Sequence, residues 1–126
     1  MKLKSVSGFV CYVKDLEKTA KFYKDLGFLQ SARDENHASF RLNWFSIDFI
    51  AQDKEAKEEF KKEANAQNKG AGIFINISVE NVDAFYKGVI NRGLKPSSEP
   101  RDWPWGNREF VLRDPDGYKL VFFQKI

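Results

Sequence analysis

The sequence predicts an α+β fold of two pseudo-symmetric halves, each a strand, a helix and three further strands, sharing a cleft. Three observations predict it. Val13-Lys14-Asp15-Leu16, a strand end followed by a helix start, with Gly27 as the stop, returns in the second half as Val79-Glu80-Asn81-Val82 with Gly93. The run Ile73-Phe74-Ile75-Asn76-Ile77-Ser78-Val79 alternates with the period of a half-buried strand. Asp114-Pro115-Asp116-Gly117 is a hairpin turn: proline fixes φ, and glycine supplies φ > 0.

The elements follow in order. Val6–Val13 is read as a strand with Phe9, Cys11 and Val13 on one face and Gly8, Val10 and Tyr12 on the other. Asp15 suits the N-cap of a helix whose apolar stripe is Leu16, Ala20, Tyr23 and Leu26. Three strands are expected next, at about Phe28–Arg33, His37–Asn43 and Trp44–Ala51. Asp53–Ala66 is a charged, helix-favouring segment read as a solvated connecting helix anchored by Phe60. Asn68-Lys69-Gly70-Ala71-Gly72 reads as a linker. The second helix runs from Asn81 to Asn91, with strands near Leu94–Ser98, Arg108–Arg113 and Tyr118–Gln124. The organisation is one domain: a first module over about 1–52, a connecting helix over 53–67 and a second module over about 70–126.

Composition limits the function. A chain of 126 residues can bury a proper core. Its aromatic content of 15%, with twelve phenylalanines, exceeds the need of an average small core, so some rings are expected to line a pocket. The net charge of +3 is small, and no basic cluster interleaves with aromatics, which argues against nucleic acid. One cysteine, Cys11, excludes an internal disulfide and reads as a buried small hydrophobe. No apolar run approaches the ~20 residues of a membrane span. No signal-peptide pattern opens the chain, so a cytoplasmic protein is expected.

The module order, Pro104-Trp105-Gly106-Asn107-Arg108-Glu109-Phe110 and the Asp-Pro-Asp-Gly turn together resemble the glyoxalase/bleomycin resistance/dioxygenase superfamily, the vicinal oxygen chelate proteins, and its bleomycin-resistance branch in particular. Val13 through Tyr23 is similar to that family's first helix region. The resemblance covers nearly the whole chain. It implies two βαβββ modules with curved mixed sheets around a cleft, and a two-fold homodimer. The family's enzymes hold a divalent metal with His or Glu from four strands, as a Lewis acid for adjacent substrate oxygens. Carried over by position, those places fall on Gly8, Phe74, Val121 and Asp48. Only the last has donor atoms. The expectation is therefore no metal, no cofactor and no catalytic residue. His37, the single histidine, sits in the polar stretch Asp34–His37 and reads as a surface residue.

Strand parity puts Val10, Tyr12, Trp44, Ser46, Asp48, Phe74, Asn76 and Val121 on the cleft face, and the resemblance implies that Trp103 and Trp105 lie on a loop at its mouth. Aromatic walls with few polar groups are the makeup of a small-molecule site. Asp48 is the candidate partner for a ligand cation, and the indoles for planar rings. Arg108 and Glu109 are read as pairing with neighbouring charges, a binding role for Arg108 being the competing reading. The leading expectation is a metal-independent protein that binds an aromatic or amphiphilic small molecule, as antibiotic-sequestering proteins do. One alternative is a lyase, isomerase or dioxygenase with unusual metal ligands. The other is an interaction module whose cleft is filled.

Overall fold

The computed structural model describes residues 1–126. The chain forms two compact units, Met1–Gln67 and Asn68–Ile126.

The first unit begins with strand β1 (Gly8–Val13) and helix α1 (Leu16–Leu26). The Asp15 carboxylate caps α1 by accepting from the Lys18 amide at 3.1 Å. Gly27, at φ 101°, ends it in the left-handed conformation a side chain resists. Strands β2 (Leu29–Arg33), β3 (His37–Leu42) and β4 (Phe45–Ala51) follow. They build a four-stranded sheet ordered β1-β4-β3-β2, with β1 parallel to β4 and the other pairs antiparallel. The stripe of α1 packs on one face. Tyr23, Phe40 and Phe49 are fully buried there, Tyr23 lying 4.6 Å from Phe49 by ring centroids. Helix α2 (Glu58–Ala64) closes the unit after a 3-10 turn at Gln52–Lys54.

The second unit repeats the plan. Strand β5 (Phe74–Ser78) leads to helix α3 (Val82–Asn91), capped by Asn81, which accepts from the Ala84 amide at 3.0 Å. Strands β6 (Arg101–Asp102), β7 (Asn107–Arg113) and β8 (Lys119–Lys125) complete a sheet ordered β5-β8-β7-β6, with β5 parallel to β8. Phe110 and Phe122 stack at 5.2 Å and are wholly buried, with Phe85 at 4.7 Å from Phe122. The Asp114 carboxylate fixes the β7–β8 turn by accepting from the Asp116 and Tyr118 amides at 2.9 and 3.0 Å. Gly117 sits there at φ 96°.

The two βαβββ units and both helix caps match the sequence reading. Four details differ. Leu94–Ser98 is not a strand. Pro96 within it and Pro100 just after it remove donors, and it meets β7 through the Ser97 amide to the Val111 carbonyl (2.8 Å) and the Val111 amide to the Ser98 hydroxyl (3.0 Å). The short β6 takes the strand's place. Phe60 is not an anchor: it is 44% exposed, and Ala64 is the buried residue of α2. Its small side chain permits the close approach that a phenyl ring would prevent. Trp44 is not on a strand face. It lies in the β3–β4 turn beside Asn43, whose φ is 55°, and is 75% exposed. His37 opens β3 where the strand was expected to begin, but it is half-buried rather than a surface residue.

Candidate functional site

In the second unit, alternation turns Ile75 and Ile77 of β5 into the core and leaves Phe74, Asn76 and Ser78 on the opposite face. Register continues that face across the sheet. Asn76 pairs with Val121 and Val121 with Val111, which makes a floor. Phe74 pairs with Lys119 at one end, and Glu109 pairs with Phe123 at the other. Ser98 stands beside Val111 through its hydroxyl.

The loop after β6 supplies a wall. The Trp103 amide donates to the Asn107 carbonyl at 2.8 Å, and the Gly106 amide donates to the Trp103 carbonyl at 3.1 Å. Gly106 has φ 88°, which a residue with a Cβ would adopt only with strain. This tight turn puts Trp103 and Trp105 on one side, stacked at 4.6 Å with 11° between their planes. The Arg101 guanidinium covers the far face of the pair, 3.7 Å from a Trp103 ring. The Trp105 indole N–H donates to the Glu109 carboxylate at 3.0 Å, and the Asn107 amide donates to the same oxygen at 3.3 Å.

These residues enclose a hollow of about 350 Å³ lined by Phe74, Asn76, Trp103, Trp105, Glu109 and Lys119, with Ser98, Val111 and Val121. Its size is that of a pocket for a small molecule. Five of the residues singled out from the sequence, Phe74, Asn76, Val121, Trp103 and Trp105, line it. Glu109 and Lys119 were missed as lining residues. Alternation from Val111 and Val121 carries the signal for both, whereas the hydrogen bond from Trp105 to Glu109 depends on the loop's path. Arg108 does not join them: it pairs with Asp83 at 3.2 Å and Asp102 at 3.0 Å. The Asp102 hydrogen bond, and then that of Asp83, raise its pKa further.

The other three candidates belong to the first unit. The Asp48 carboxylate is held by its strand neighbours. It accepts from the Ser39 hydroxyl across the β3–β4 ladder and from the Ser46 hydroxyl at 3.5 Å, with His37 Nε2 also at 3.5 Å. His37 Nε2 lies 3.1 Å from the Ser39 hydroxyl. His37 is thus part of a polar cluster rather than a solvated loop residue. Trp44 stands apart on its turn.

Tyr12 donates its hydroxyl to Glu55 at 2.7 Å. Burial foremost, then the hydrogen bond and charge of Glu55, push the phenol up to about 12. The Lys57 amide first, then the Tyr12 hydroxyl, hold the Glu55 carboxyl down. The folded state therefore keeps the Tyr12 proton longer than the unfolded chain does. The stabilisation is fully present below the ordinary phenol value of 10.0 and is lost as pH rises from there to about 12. The difference between phenolate absorbance titrations of native wild type and Tyr12→Phe should have a midpoint near 12. A midpoint near 10 would remove the protected hydroxyl.

The donor set does not fit a divalent metal. At Gly8 there is no room even for a Cβ, which would lie 2.0 Å from the Ser46 carbonyl oxygen. Phe74 carries the Lys119 ammonium 3.7 Å over its ring, and Val121 has no donor. Nowhere do three His, Cys, Asp or Glu side chains gather in a ligating cluster. No helix is long and apolar enough to cross a membrane.

With that geometry in place, similarity to known proteins is informative. The Glyoxalase/Bleomycin resistance protein/Dioxygenase superfamily pattern matches residues 5–122. The chain is 30% identical over 122 residues to a bleomycin resistance protein of Geobacillus stearothermophilus, a match covering 90% of this chain and 92% of the relative. It is 31% identical, over the same shares, to the uncharacterized protein YraH of Bacillus subtilis (strain 168). Among solved structures, a glyoxalase/bleomycin resistance protein/dioxygenase from Nocardioides superposes with a TM-score of 0.78 at 19% identity, covering 100% of this chain and 86% of the other. A bleomycin-binding protein complexed with bleomycin gives 0.67 at 21%, covering 98% and 100%. At those identities the structures report on fold.

Proposed function

Because the chain belongs to the Glyoxalase/Bleomycin resistance protein/Dioxygenase superfamily, we propose that it binds and sequesters a small planar molecule, without a metal, in the hollow of its second unit. The observation that carries this is the stacked Trp103–Trp105 pair standing over an apolar floor of Val111 and Val121. Indoles offer a flat, polarisable wall to a planar ligand at little cost in side-chain entropy. The 30% identity to a bleomycin resistance protein supports sequestration over turnover. So does a donor set that places one carboxylate, Asp48, among the four positions where the family's enzymes hold a metal. Tyr12, Trp44 and Asp48 of the first unit are proposed as further ligand contacts, separate from that hollow. The protein is proposed to be a cytoplasmic homodimer.

The net charge of +3 gives a cationic antibiotic no long-range attraction. Selection then rests on the charges inside the hollow. Native mass spectrometry of freshly purified protein tests the reading. The expected species is a dimer that retains small molecules on the order of one per chain and no stoichiometric metal. A monomer with nothing retained, whose tryptophan fluorescence no planar compound quenches, would overturn it.

A further inference from the structure

Two charged side chains line the hollow, Glu109 and Lys119, and neither belongs to any of the chain's ion pairs. This contrasts with Arg108, the sequence neighbour of Glu109, which two carboxylates neutralise. Glu109 is aimed by neutral donors, the Trp105 indole and the Asn107 amide, both acting on one carboxylate oxygen. Lys119 rests against the Phe74 ring at 3.7 Å, a contact that positions its ammonium without cancelling the charge.

Their places in the sheet set them at opposite ends. Glu109 and Arg113 are on β7, and Arg113 pairs with Lys119. The two charges are thus four residues apart along the strand direction, on the order of 13 Å between backbones. Val111 and Val121 lie between them. The hollow is therefore an open trough whose lining carries an anion at the indole end, with Arg101 stacked on Trp103 outside that lining, and a cation at the phenyl end. A ligand with one charge satisfies one end and leaves the other facing it unpaired.

Resting on the small-molecule reading above, we propose that the hollow selects an elongated planar zwitterion, its cationic group on Glu109 beside Trp105 and its anionic group on Lys119 beside Phe74. Neither residue has a metal-binding or catalytic part in this; each fixes one end of the ligand and so sets its orientation.

Three biphenyl probes test it by quenching of tryptophan fluorescence: 4′-aminomethylbiphenyl-4-carboxylate, 4-aminomethylbiphenyl and biphenyl-4-carboxylate. The zwitterion is expected to bind wild type about tenfold or more tightly than either singly charged probe. Raised salt should narrow that gap. Glu109→Gln should weaken the zwitterion and the amine by about tenfold and leave the carboxylate as it was; Lys119→Met should do the reverse. The wild-type ranking needs no variant and stands even if one of them folds poorly. Equal affinity for all three probes would overturn the zwitterion while leaving the binding reading intact. Loss of both singly charged probes in a folded Glu109→Gln protein would also overturn it, since that pattern marks collapse of the indole wall. Absence of quenching by every probe would count against the binding reading itself.

Discussion

Gly8→Ala is expected to destabilise the protein by about 3 kcal/mol or more, the upper range for forcing atoms into a packed site. The added Cβ would lie 2.0 Å from the Ser46 carbonyl oxygen, well inside van der Waals contact. The obstacle is backbone, so no rotamer change relieves it. Gly8 pairs with Ser46 at the start of the parallel β1–β4 ladder, and the Ser46 amide donates to the Ser7 carbonyl at 3.0 Å. The strands must part there. Thermal unfolding followed by circular dichroism should show a midpoint lower by on the order of 10 °C. Gly8→His adds a functional meaning. It restores the residue type the family's enzymes use at this position, yet should gain no zinc or nickel affinity in calorimetry, because the strands cannot admit the ring. A Gly8→Ala protein as stable as wild type would show that β1 can shift, and would reopen the metal question.

Trp105→Ala should weaken planar ligands by about 1–3 kcal/mol, the usual loss for one aromatic anchor. The effect has two parts. Removing the ring takes away half of the stacked wall, and it also frees Glu109 from one of the two donors that aim it. Trp105→Phe separates them: it keeps a ring and loses the N–H. It should recover most of the affinity for the neutral surface of a ligand and little of the preference for a cationic end. Folding should survive, since Trp105 is 60% exposed and sits on a loop. An unfolded Trp105→Ala protein would make the ring structural. A folded one with unchanged affinity for every probe would move the site elsewhere.

Most of the fold could be read from local signals. Asp15 and Asn81 each cap a helix with a side-chain oxygen, and Gly27 and Gly93 end them at φ 101° and 78°. Such signals act within a few residues, so they survive any tertiary context. Leu94–Ser98 looked like a strand because its place in the repeat calls for one, but Pro96 denies it the ladder and the pairing passes to Arg101–Asp102. Phe60 shows the limit of hydrophobicity as a guide: in α2 it was the smaller Ala64 that fitted. Within the hollow, Phe74, Asn76 and Val121 followed from strict alternation. Glu109 shares the face of Val111 by the same alternation, but its hydrogen bond to the Trp105 indole was not legible, because only the turn at Gly106 brings the two within reach.

The parallel pairing of the first and last strands of each unit has a kinetic consequence. In the first unit β2, β3 and β4 are hairpin neighbours that can zip locally, whereas β1 finds its partner β4 only after nearly the whole unit exists. The same holds for β5 and β8. Chain closure of that span must precede any reward from the contacts, which places these proteins among the slower folders of their size. During synthesis the earliest strand of each half therefore waits unpaired. For the second half that strand is Ile73–Val79, a β-prone run with no charge and no proline.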